Sequence, residues 1–293
     1  MGVKFFLTLL FVVCCSVSHG QKLVRIALIA DPQYADKDTH GSRYYRNSLA
    51  KLDSAVSAIN AQEVDFTITL GDLVDMGPKD LPPVLQRLDK LHMPVYNIMG
   101  NHDFVDVEDP TELYKYYRMP KPYYTVAKGE WLFILLNTNE LASYASREGS
   151  SERHAWQSLS EGLQKANRKN NQAWNGGLGL RQLKWLEKQL RRAKSKGKKV
   201  IIITHHPLFP ENGLEALNNR EILSIIDRYP VVKAVFSGHH HPGNFASYKG
   251  IPMFTLEGMI ETADQNAFGI LELNENQLIL HGVGRMASRK IDY

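Results

Sequence analysis

Cysteine is nearly absent from this sequence. The 293 residues include two cysteines, Cys14 and Cys15, and both lie close to the N-terminus. The rest of the chain therefore has no thiolate that could bind a metal ion or attack a substrate, and it can form no disulfide within itself. Its stability must come from a hydrophobic core, for which the length and the 43% of hydrophobic residues suffice.

A long apolar run is also missing. Residues 5–13 form an apolar run of about nine residues, whereas a membrane-spanning helix needs roughly 20. Lys4 precedes this run, and small residues follow it among positions 16–20. This order predicts a secretory signal peptide at residues 1–20, cleaved after Gly20.

The predicted cleavage leaves one domain, residues 21–293, without any cysteine. We expect this mature protein to be soluble and secreted, in the extracellular or periplasmic space, with no stable membrane insertion. A lipid anchor on Cys14 or Cys15 is the alternative. It is less well supported, because Val13 stands where a small residue is expected before the modified cysteine.

The chain has no strong excess of one charge. Its formal net charge of +4 is spread along the sequence. The densest basic run lacks interleaved aromatic residues, so it predicts a solvated helix end rather than a nucleic-acid surface. This run consists of Arg191, Arg192, Lys194, Lys196, Lys198 and Lys199.

Short apolar runs alternate with amphipathic patterns through most of the chain. Alternating strands and helices predict a layered α/β architecture. The predicted strands are residues 23–30, 64–70, 95–99, 131–136, 199–204 and 232–237. The predicted helices are residues 45–60, 181–194 and 221–228.

Two segments depart from this alternation. Residues 140–179 are rich in Ser, Asn, Arg and Gly, with isolated Trp156 and Trp174. Such a polar insertion is either a functional lid or a solvated surface excursion. Residues 252–282 predict short strands with turns and no long helix, which would extend or complete a second sheet.

Each of five predicted strands ends in a polar cluster. Because the carboxyl ends of strands in an open α/β sheet face the ligand crevice, these clusters are expected to meet at one rim. Taken together they are far more informative than any of them alone. They are Asp31-Pro32-Gln33, Gly71-Asp72-Leu73-Val74-Asp75, Gly100-Asn101-His102-Asp103, His205-His206-Pro207 and Gly238-His239-His240-His241.

These side chains suit divalent metal ions. Carboxylate and amide oxygens suit manganese and magnesium, and imidazole also suits zinc and iron. The absence of cysteine from the clusters points to Mn, Fe or Zn rather than to a thiolate site. Gly71, Gly100 and Gly238 fit sharp turns where the backbone leaves each strand.

The order of the five clusters resembles the calcineurin-like metallophosphoesterase superfamily. That family usually has His where this chain has Gln33. Within it, the chain is similar to the manganese-dependent ADP-ribose/CDP-alcohol diphosphatases, and the similarity covers residues 23–293. Further stretches carry this likeness: 41–48 (GSRYYRNS), 174–177 (WNGG), 182–186 (QLKWL), 256–262 (LEGMIET) and 282–285 (GVGR). The resemblance implies a four-layer αββα sandwich.

The resemblance also implies a dinuclear metal site. One ion would be bound by Asp31, Gln33 and His241. The other would be bound by Asn101, His205 and His239. Asp72 would bridge them, with a water or hydroxide between the ions. Since Gln33 offers an amide oxygen in place of an imidazole, manganese is expected, with iron or zinc as alternatives.

Catalytic roles follow from the same likeness. His102 is expected to stabilise the developing charge or to protonate the leaving oxygen. Asp103 would orient His102 or cap the turn, and Asp75 would accept a hydrogen bond behind the metal ligands. Asn101, His102 and His240 are expected to contact substrate. His206 and His240 are both less well supported as substrate contacts than Asn101 and His102, since each is adjacent to a ligand and neighbouring residues on an extended segment point to opposite sides.

Three functions remain open at this point. The first is hydrolysis of the phosphoanhydride of small nucleoside-diphosphate-linked compounds such as ADP-ribose and CDP-alcohols. The second is a phosphomonoesterase or phosphodiesterase acting on another extracellular ester. The third is a secreted metal-binding protein without activity, which the intact ligand set disfavours. Trp174 could stack on a base, and Arg43 and Arg46 could approach a diphosphate, or all three could be structural.

Overall fold

The computed structural model describes residues 23–293. The predicted signal peptide, its cleavage site and both cysteines lie outside the described residues. None of the helices formed by residues 23–293 is long and apolar enough to span a bilayer.

Two six-stranded sheets form the centre of the fold. The strands in chain order are β1 (Val24–Ile29), β2 (Phe66–Leu70), β3 (Val95–Ile98), β4 (Tyr124–Lys128), β5 (Trp131–Leu135), β6 (Lys199–Ile203), β7 (Val232–Ser237), β8 (Asn244–Tyr248), β9 (Ile251–Thr255), β10 (Ala267–Leu273), β11 (Gln277–Gly284) and β12 (Arg289–Asp292). The helices are α1 (Ser48–Asn60), α2 (Leu81–Leu88), α3 (Leu113–Tyr116), α4 (Ser151–Lys165), α5 (Leu180–Ser195) and α6 (Asn219–Ile226).

The strand order shows how the chain fills these sheets. The first sheet runs β12-β11-β10-β1-β2-β3, and the second runs β4-β5-β6-β7-β9-β8. β1, β2 and β3 are parallel to one another, as are β5, β6, β7 and β9. Five of these parallel strands are followed by the polar clusters, so both sheets contribute side chains to the same crevice.

The side chains of β6 alternate between the two faces of its sheet, and this alternation explains the layers of the fold. Ile201 and Ile203 belong to the core between the two sheets. Their neighbours Val200 and Ile202 pack instead with Leu186 of α5 and with residues of α6. Since successive side chains of a strand point to opposite faces, one strand serves both layers. Helices therefore cover the sheets on the outside, and the predicted αββα sandwich is confirmed.

The predicted elements agree with the structure except in two places. Within residues 252–282, only the part that belongs to β9 lies in the second sheet, where β9 pairs with β7 and β8. β10 instead pairs antiparallel with β1, and β11 and β12 follow it. Strand β10 is almost fully buried, which fits a central position between β1 and β11. The polar insertion contains helix α4, of which only Leu163 is buried.

Candidate metal centre

The predicted metal ligands converge at the carboxyl ends of the strands. Donor atoms of Asp31, Asp72 and His205 all lie within 4.8 Å of one another. Nε2 of His205 is 3.2 Å from Oδ1 of Asn101 and 3.4 Å from Oδ2 of Asp72. Nε2 of His241 is 3.8 Å from Oδ1 of Asp31. The two sheets thus bring carboxylate, amide and imidazole donors into one cluster.

The backbone at this cluster adopts an uncommon conformation. Asp31, Gln33, Asp72 and His239 have φ angles of 48°, 46°, 47° and 69°, although none is a glycine. Left-handed backbone at such residues costs on the order of 1–3 kcal/mol and persists where surrounding contacts compensate. The amide of Gln33 donates to the carbonyl of Asp72 at 2.8 Å, which joins the first two clusters.

Glycines allow the ligands to come this close. A Cβ on Gly100 would overlap Oδ1 of Asp72 and lie 2.5 Å from Cε1 of His205. A Cβ on Gly238 would lie 2.5 Å from Oδ2 of Asp31. These separations are too short for any side chain. A Cβ on Gly71 would lie 2.6 Å from the amide nitrogen of Gly100, so packing requires a glycine before each of these three clusters. Only Gly71, with a φ of 90°, also has a left-handed backbone that favours glycine.

The cluster is buried and attracts positive charge. The side chains of Asp31, Asp72 and His205 are almost completely shielded from solvent. Burial raises the pKa of Asp31, although His241 and His205 oppose the effect. Burial alone would lower the pKa of His205, but Asp72 raises it to about 9. Two buried carboxylates this close together need a cation beside them.

Gln33 leaves one oxygen for such a cation. Its Nε2 donates to Oδ1 of Asp75 at 2.6 Å. Its Oε1 is buried and has no hydrogen-bond partner among the described residues. A buried carbonyl oxygen without a partner is unfavourable unless something accepts its lone pair. The donor set as a whole therefore fits divalent metal ions, which carboxylates, amide oxygens and imidazoles bind readily.

Hydrogen bonds also determine which ring nitrogen of His205 and of His241 remains free to bind a metal ion. Nδ1 of His205 lies 2.8 Å from the carbonyl oxygen of Leu70, which can only accept. Nδ1 of His241 lies 2.8 Å from Oε1 of Glu261. Both Nδ1 atoms must carry the hydrogen, so the neutral rings have their lone pair on Nε2. A carboxylate or carbonyl behind a ligand imidazole is a common arrangement in metal sites.

His206 is excluded as a ligand by the same reasoning. Its Nε2 is 3.0 Å from the carbonyl of Trp174 and its Nδ1 is 2.8 Å from the Thr138 hydroxyl. Burial, together with His205, lowers the pKa of His206 to about 3. The ring is a neutral interior histidine with both nitrogens occupied.

The contacts of His102 revise the role expected for Asp103. Oxygens of the Asp103 carboxylate accept from the amides of Gly100 at 2.8 Å and Val74 at 3.2 Å. They cap the turn, which was the alternative prediction. Asp75 is the residue beside His102, with Oδ1 at 3.0 Å from Nδ1. Since Nδ1 faces Asp75, Nε2 is the ring nitrogen left for substrate.

A cavity of about 480 Å³ opens onto the cluster. It is lined by Arg43, Asp72, Asn101, His102, Trp174, Leu214, His239 and His241. His240, a predicted substrate contact, is not among the lining residues. Arg46 lies outside the cavity and is paired with Asp36 and Asp38 at the surface. Of the two arginines considered for a diphosphate, Arg43 is the one with access.

Three residues at the site were not assigned a role from the sequence. Glu261 contacts His241, Lys37 pairs with Asp75, and Asn175 contacts His239. Glu261 and Asn175 lie in two of the stretches on which the family resemblance rests, and this resemblance is the sequence signal that could have identified them. No local pattern indicated which histidine each would meet.

Comparison with known proteins agrees with this geometry. A family model described as calcineurin-like phosphoesterase matches residues 24–243. A rice (Oryza sativa subsp. japonica) protein named manganese-dependent ADP-ribose/CDP-alcohol diphosphatase is 30% identical over 307 residues. That alignment covers 94% of this chain and 95% of the rice protein. A human protein of the same name is 28% identical, and the alignment covers 94% of each chain.

Solved structures extend the comparison to three dimensions. A dimetal phosphatase from Danio rerio superposes with a TM-score of 0.83 at 26% sequence identity. The superposition covers 92% of this chain and 99% of the zebrafish chain. A purple acid phosphatase from yellow lupin shares the fold alone, with a TM-score of 0.58 at 14% identity.

Proposed function

Because the chain belongs to the calcineurin-like phosphoesterase family of metal-dependent hydrolases, we propose that it cleaves the phosphoanhydride of ADP-ribose and CDP-alcohols with manganese. The observation that carries this proposal is the similarity to diphosphatases of that specificity along nearly the whole chain. Gln33 supports it, since its unpartnered amide oxygen is a harder donor than the imidazole usual at this position.

We propose the following ligands for the two ions. Asp31, Gln33 and His241 bind one, while Asn101, His205 and His239 bind the other, with Asp72 between them. The support is the convergence of these donors in a buried cluster. When bound, two divalent ions supply Lewis-acid activation of the phosphate and of water.

His102 is proposed as the proton donor to the leaving oxygen. Its Nδ1 is held by Asp75, and its ring lines the cavity. Burial would lower the pKa of His102, but the carboxylates of Asp72 and Asp75 outweigh it and raise the pKa. The protonated ring that a general acid needs is thereby favoured.

Arg43 and Trp174 are proposed to recognise the rest of the substrate. Arg43 contributes a guanidinium to the cavity wall, and guanidinium groups bind phosphate oxygens well. The Trp174 side chain is 48% exposed, unusual for a tryptophan, and could stack on a nucleobase. The cavity volume of about 480 Å³ lies within the range of small-molecule sites.

An activity screen tests this function. Purified protein would be assayed with Mn²⁺ against ADP-ribose, CDP-choline, a phosphomonoester and an aryl phosphodiester, with an EDTA control. Preference for the two diphosphates is expected. Preference for the monoester or the aryl diester would favour another phosphoesterase activity, and no turnover of any substrate would favour a metal-binding protein.

Two arginines provide a matched pair for the same assay. Arg43→Ala should raise KM for ADP-ribose by about tenfold or more, since one charge-assisted contact to phosphate is lost. Arg46→Ala removes a guanidinium from the neighbouring surface and should leave KM unchanged. Equal effects of the two substitutions would show that Arg43 does not contact the diphosphate.

We also propose that the protein is exported through residues 1–20. The support is the arrangement of Lys4, the apolar run and the small residues after it. N-terminal sequencing of the protein recovered from the culture medium should begin at Gln21. Retention inside the cell with residue 1 intact would contradict export.

A further inference from the structure

Asn175, in the loop that precedes helix α5, is almost completely buried. Its Nδ2 donates to the carbonyl of Asn170 at 2.9 Å and to the carbonyl of Gly213 at 2.8 Å. Its Oδ1 lies 3.0 Å from Nε2 of His239. One side chain therefore connects the polar insertion, the loop around residue 213 and the candidate metal centre.

These contacts determine which way the amide group faces. Carbonyl oxygens can only accept hydrogen bonds, so the atom facing Asn170 and Gly213 must be the NH₂ group. Both of its hydrogens are then used. The atom facing His239 must be the oxygen, which can only accept.

The orientation of Asn175 in turn determines the hydrogen on His239. Nε2 of His239 has to donate to Oδ1 of Asn175, so Nε2 carries the hydrogen. A neutral ring with its hydrogen on Nε2 has its lone pair on Nδ1. His205 and His241 have the opposite arrangement, with hydrogen on Nδ1 and the lone pair on Nε2.

We infer that Asn175 is a positioning residue that selects the Nε2-protonated form of His239 and so makes Nδ1 its metal-binding atom. This inference rests on the proposed ligand set, in which His239 binds a metal ion. The backbone amide of His239 also donates to Oδ1 of Asp31 at 3.0 Å, which holds the residue beside the cluster. Asn175 then decides the ring nitrogen that remains available there.

Trp174, the neighbour of Asn175 in the chain, also holds a histidine ring. The carbonyl of Trp174 accepts from Nε2 of His206 at 3.0 Å, while the Trp174 side chain lines the cavity. Two consecutive residues of the insertion thus hold His239, a proposed ligand, and His206, an interior histidine next to the proposed ligand His205. The insertion is part of the support of the metal site, in addition to any role at the mouth of the cavity.

Nuclear magnetic resonance tests the inference directly. Protein labelled with ¹⁵N-histidine and stripped of metal with EDTA would give long-range ¹H–¹⁵N correlations, with His239 assigned through His239→Gln. We expect the hydrogen of His239 on Nε2 in the wild type and a mixture of the two forms in Asn175→Ala. A hydrogen on Nδ1 in the wild type would overturn the inference without any need for a variant.

Calorimetric titration with Mn²⁺ supplies a second measurement. Asn175→Ala should bind one of the two ions about 10- to 100-fold more weakly and the other unchanged, as for loss of other groups that orient ligands. Asn170→Ala is the matched control. It removes two hydrogen bonds from the same segment, to the carbonyls of Ala216 and Leu217, without touching a histidine.

The outcomes separate this inference from the proposed ligand set. If His239→Gln binds both ions as tightly as the wild type, the ligand assignment fails and the inference fails with it. If His239→Gln loses one ion but Asn175→Ala binds both normally, only the inference fails. An equal loss in Asn170→Ala and Asn175→Ala would also overturn it, because a general loosening of the segment would then explain both.

Discussion

At the scale of single residues, Asp75 links the metal centre to the proposed proton donor. Its carboxylate contacts Gln33, Lys37 and His102. Burial would raise the pKa of Asp75, but His102 and Lys37 lower it to about 2. Asp75 is therefore ionised at neutral pH and stabilises both the ring orientation and the positive charge of His102.

Asp75→Asn tests this role against Asp103. We expect Asp75→Asn to lower kcat by about 10- to 100-fold, because His102 loses the carboxylate that orients it. Asp103→Asn should instead lower Tm, since an amide cannot accept from the Gly100 and Val74 backbone amides with both of its groups. The measurements are steady-state kinetics and thermal unfolding of both variants. A larger kcat loss in Asp103→Asn than in Asp75→Asn would reverse the assignment.

Gln33 allows a second prediction at this scale. A histidine at this position could still donate to Asp75 and would offer a nitrogen in place of the amide oxygen. Because imidazole binds borderline metals more strongly, Gln33→His should shift the metal preference of activity from Mn²⁺ towards Zn²⁺ or Fe²⁺. It should also change the ratio of diphosphate to aryl diester hydrolysis. Identical metal titrations of wild type and variant on both substrates would show that Gln33 does not line the metal site.

At the scale of elements, the site depends on turns at which strands end abruptly. Gly100 follows β3 and leaves no room for a Cβ beside Asp72 and His205. Gly162 lies within helix α4, where a Cβ would meet nothing within 4 Å. Gly100 is therefore required for close packing at the site, whereas the position of Gly162 has room for a side chain.

Substitution by alanine should separate these roles. Gly100→Ala is expected to weaken metal binding and abolish most activity, because Asp72 must move away from the added methyl group. Gly162→Ala should stabilise the protein by about 0.5–1 kcal/mol, as alanine replaces glycine in a helix interior. Metal titration and chemical unfolding of both variants provide the measurements. Wild-type metal affinity in Gly100→Ala would mean that the turn adapts without disturbing the ligands.

At the scale of the whole molecule, the candidate ligands join the two sheets. Asp31, Asp72 and Asn101 follow strands of the first sheet, whereas His205 and His239 follow strands of the second. Ions bound between them would stabilise the folded state only, because the unfolded chain has no such cluster.

Metal removal should therefore lower the stability of the whole protein. At a free Mn²⁺ concentration of 100 times the Kd, one site adds about 2.7 kcal/mol to the free energy of unfolding. The wild type should show a higher Tm with Mn²⁺ than with EDTA, and Asp72→Ala should lose this difference because Asp72 serves both sites. Thermal unfolding followed by fluorescence measures both proteins. A full Mn²⁺ effect in Asp72→Ala would show that Asp72 does not bridge the ions.

The sequence by itself determined the layered α/β class and the polar clusters that contain the candidate ligands, whereas the αββα arrangement and the assignment of ligands to two ions came from the family resemblance. Six of the strands could be recognised from their own apolar residues, and each polar cluster directly follows one of these six. The carboxyl ends of parallel strands meet at one edge, so the convergence of the clusters required no knowledge of distant contacts. These features depend on neighbouring residues in the chain, which a single sequence displays.

The tertiary structure alone decided which distant groups meet. The pairing of β10 with β1 joins opposite ends of the chain, and apolar periodicity reports the burial of a strand without naming its neighbour. The contacts of Asn175 with His239 and of Glu261 with His241 were hidden for the same reason. The sequence also did not show that Asp75, rather than Asp103, lies beside His102. That contact depends on where the turns after β2 and β3 lie in space.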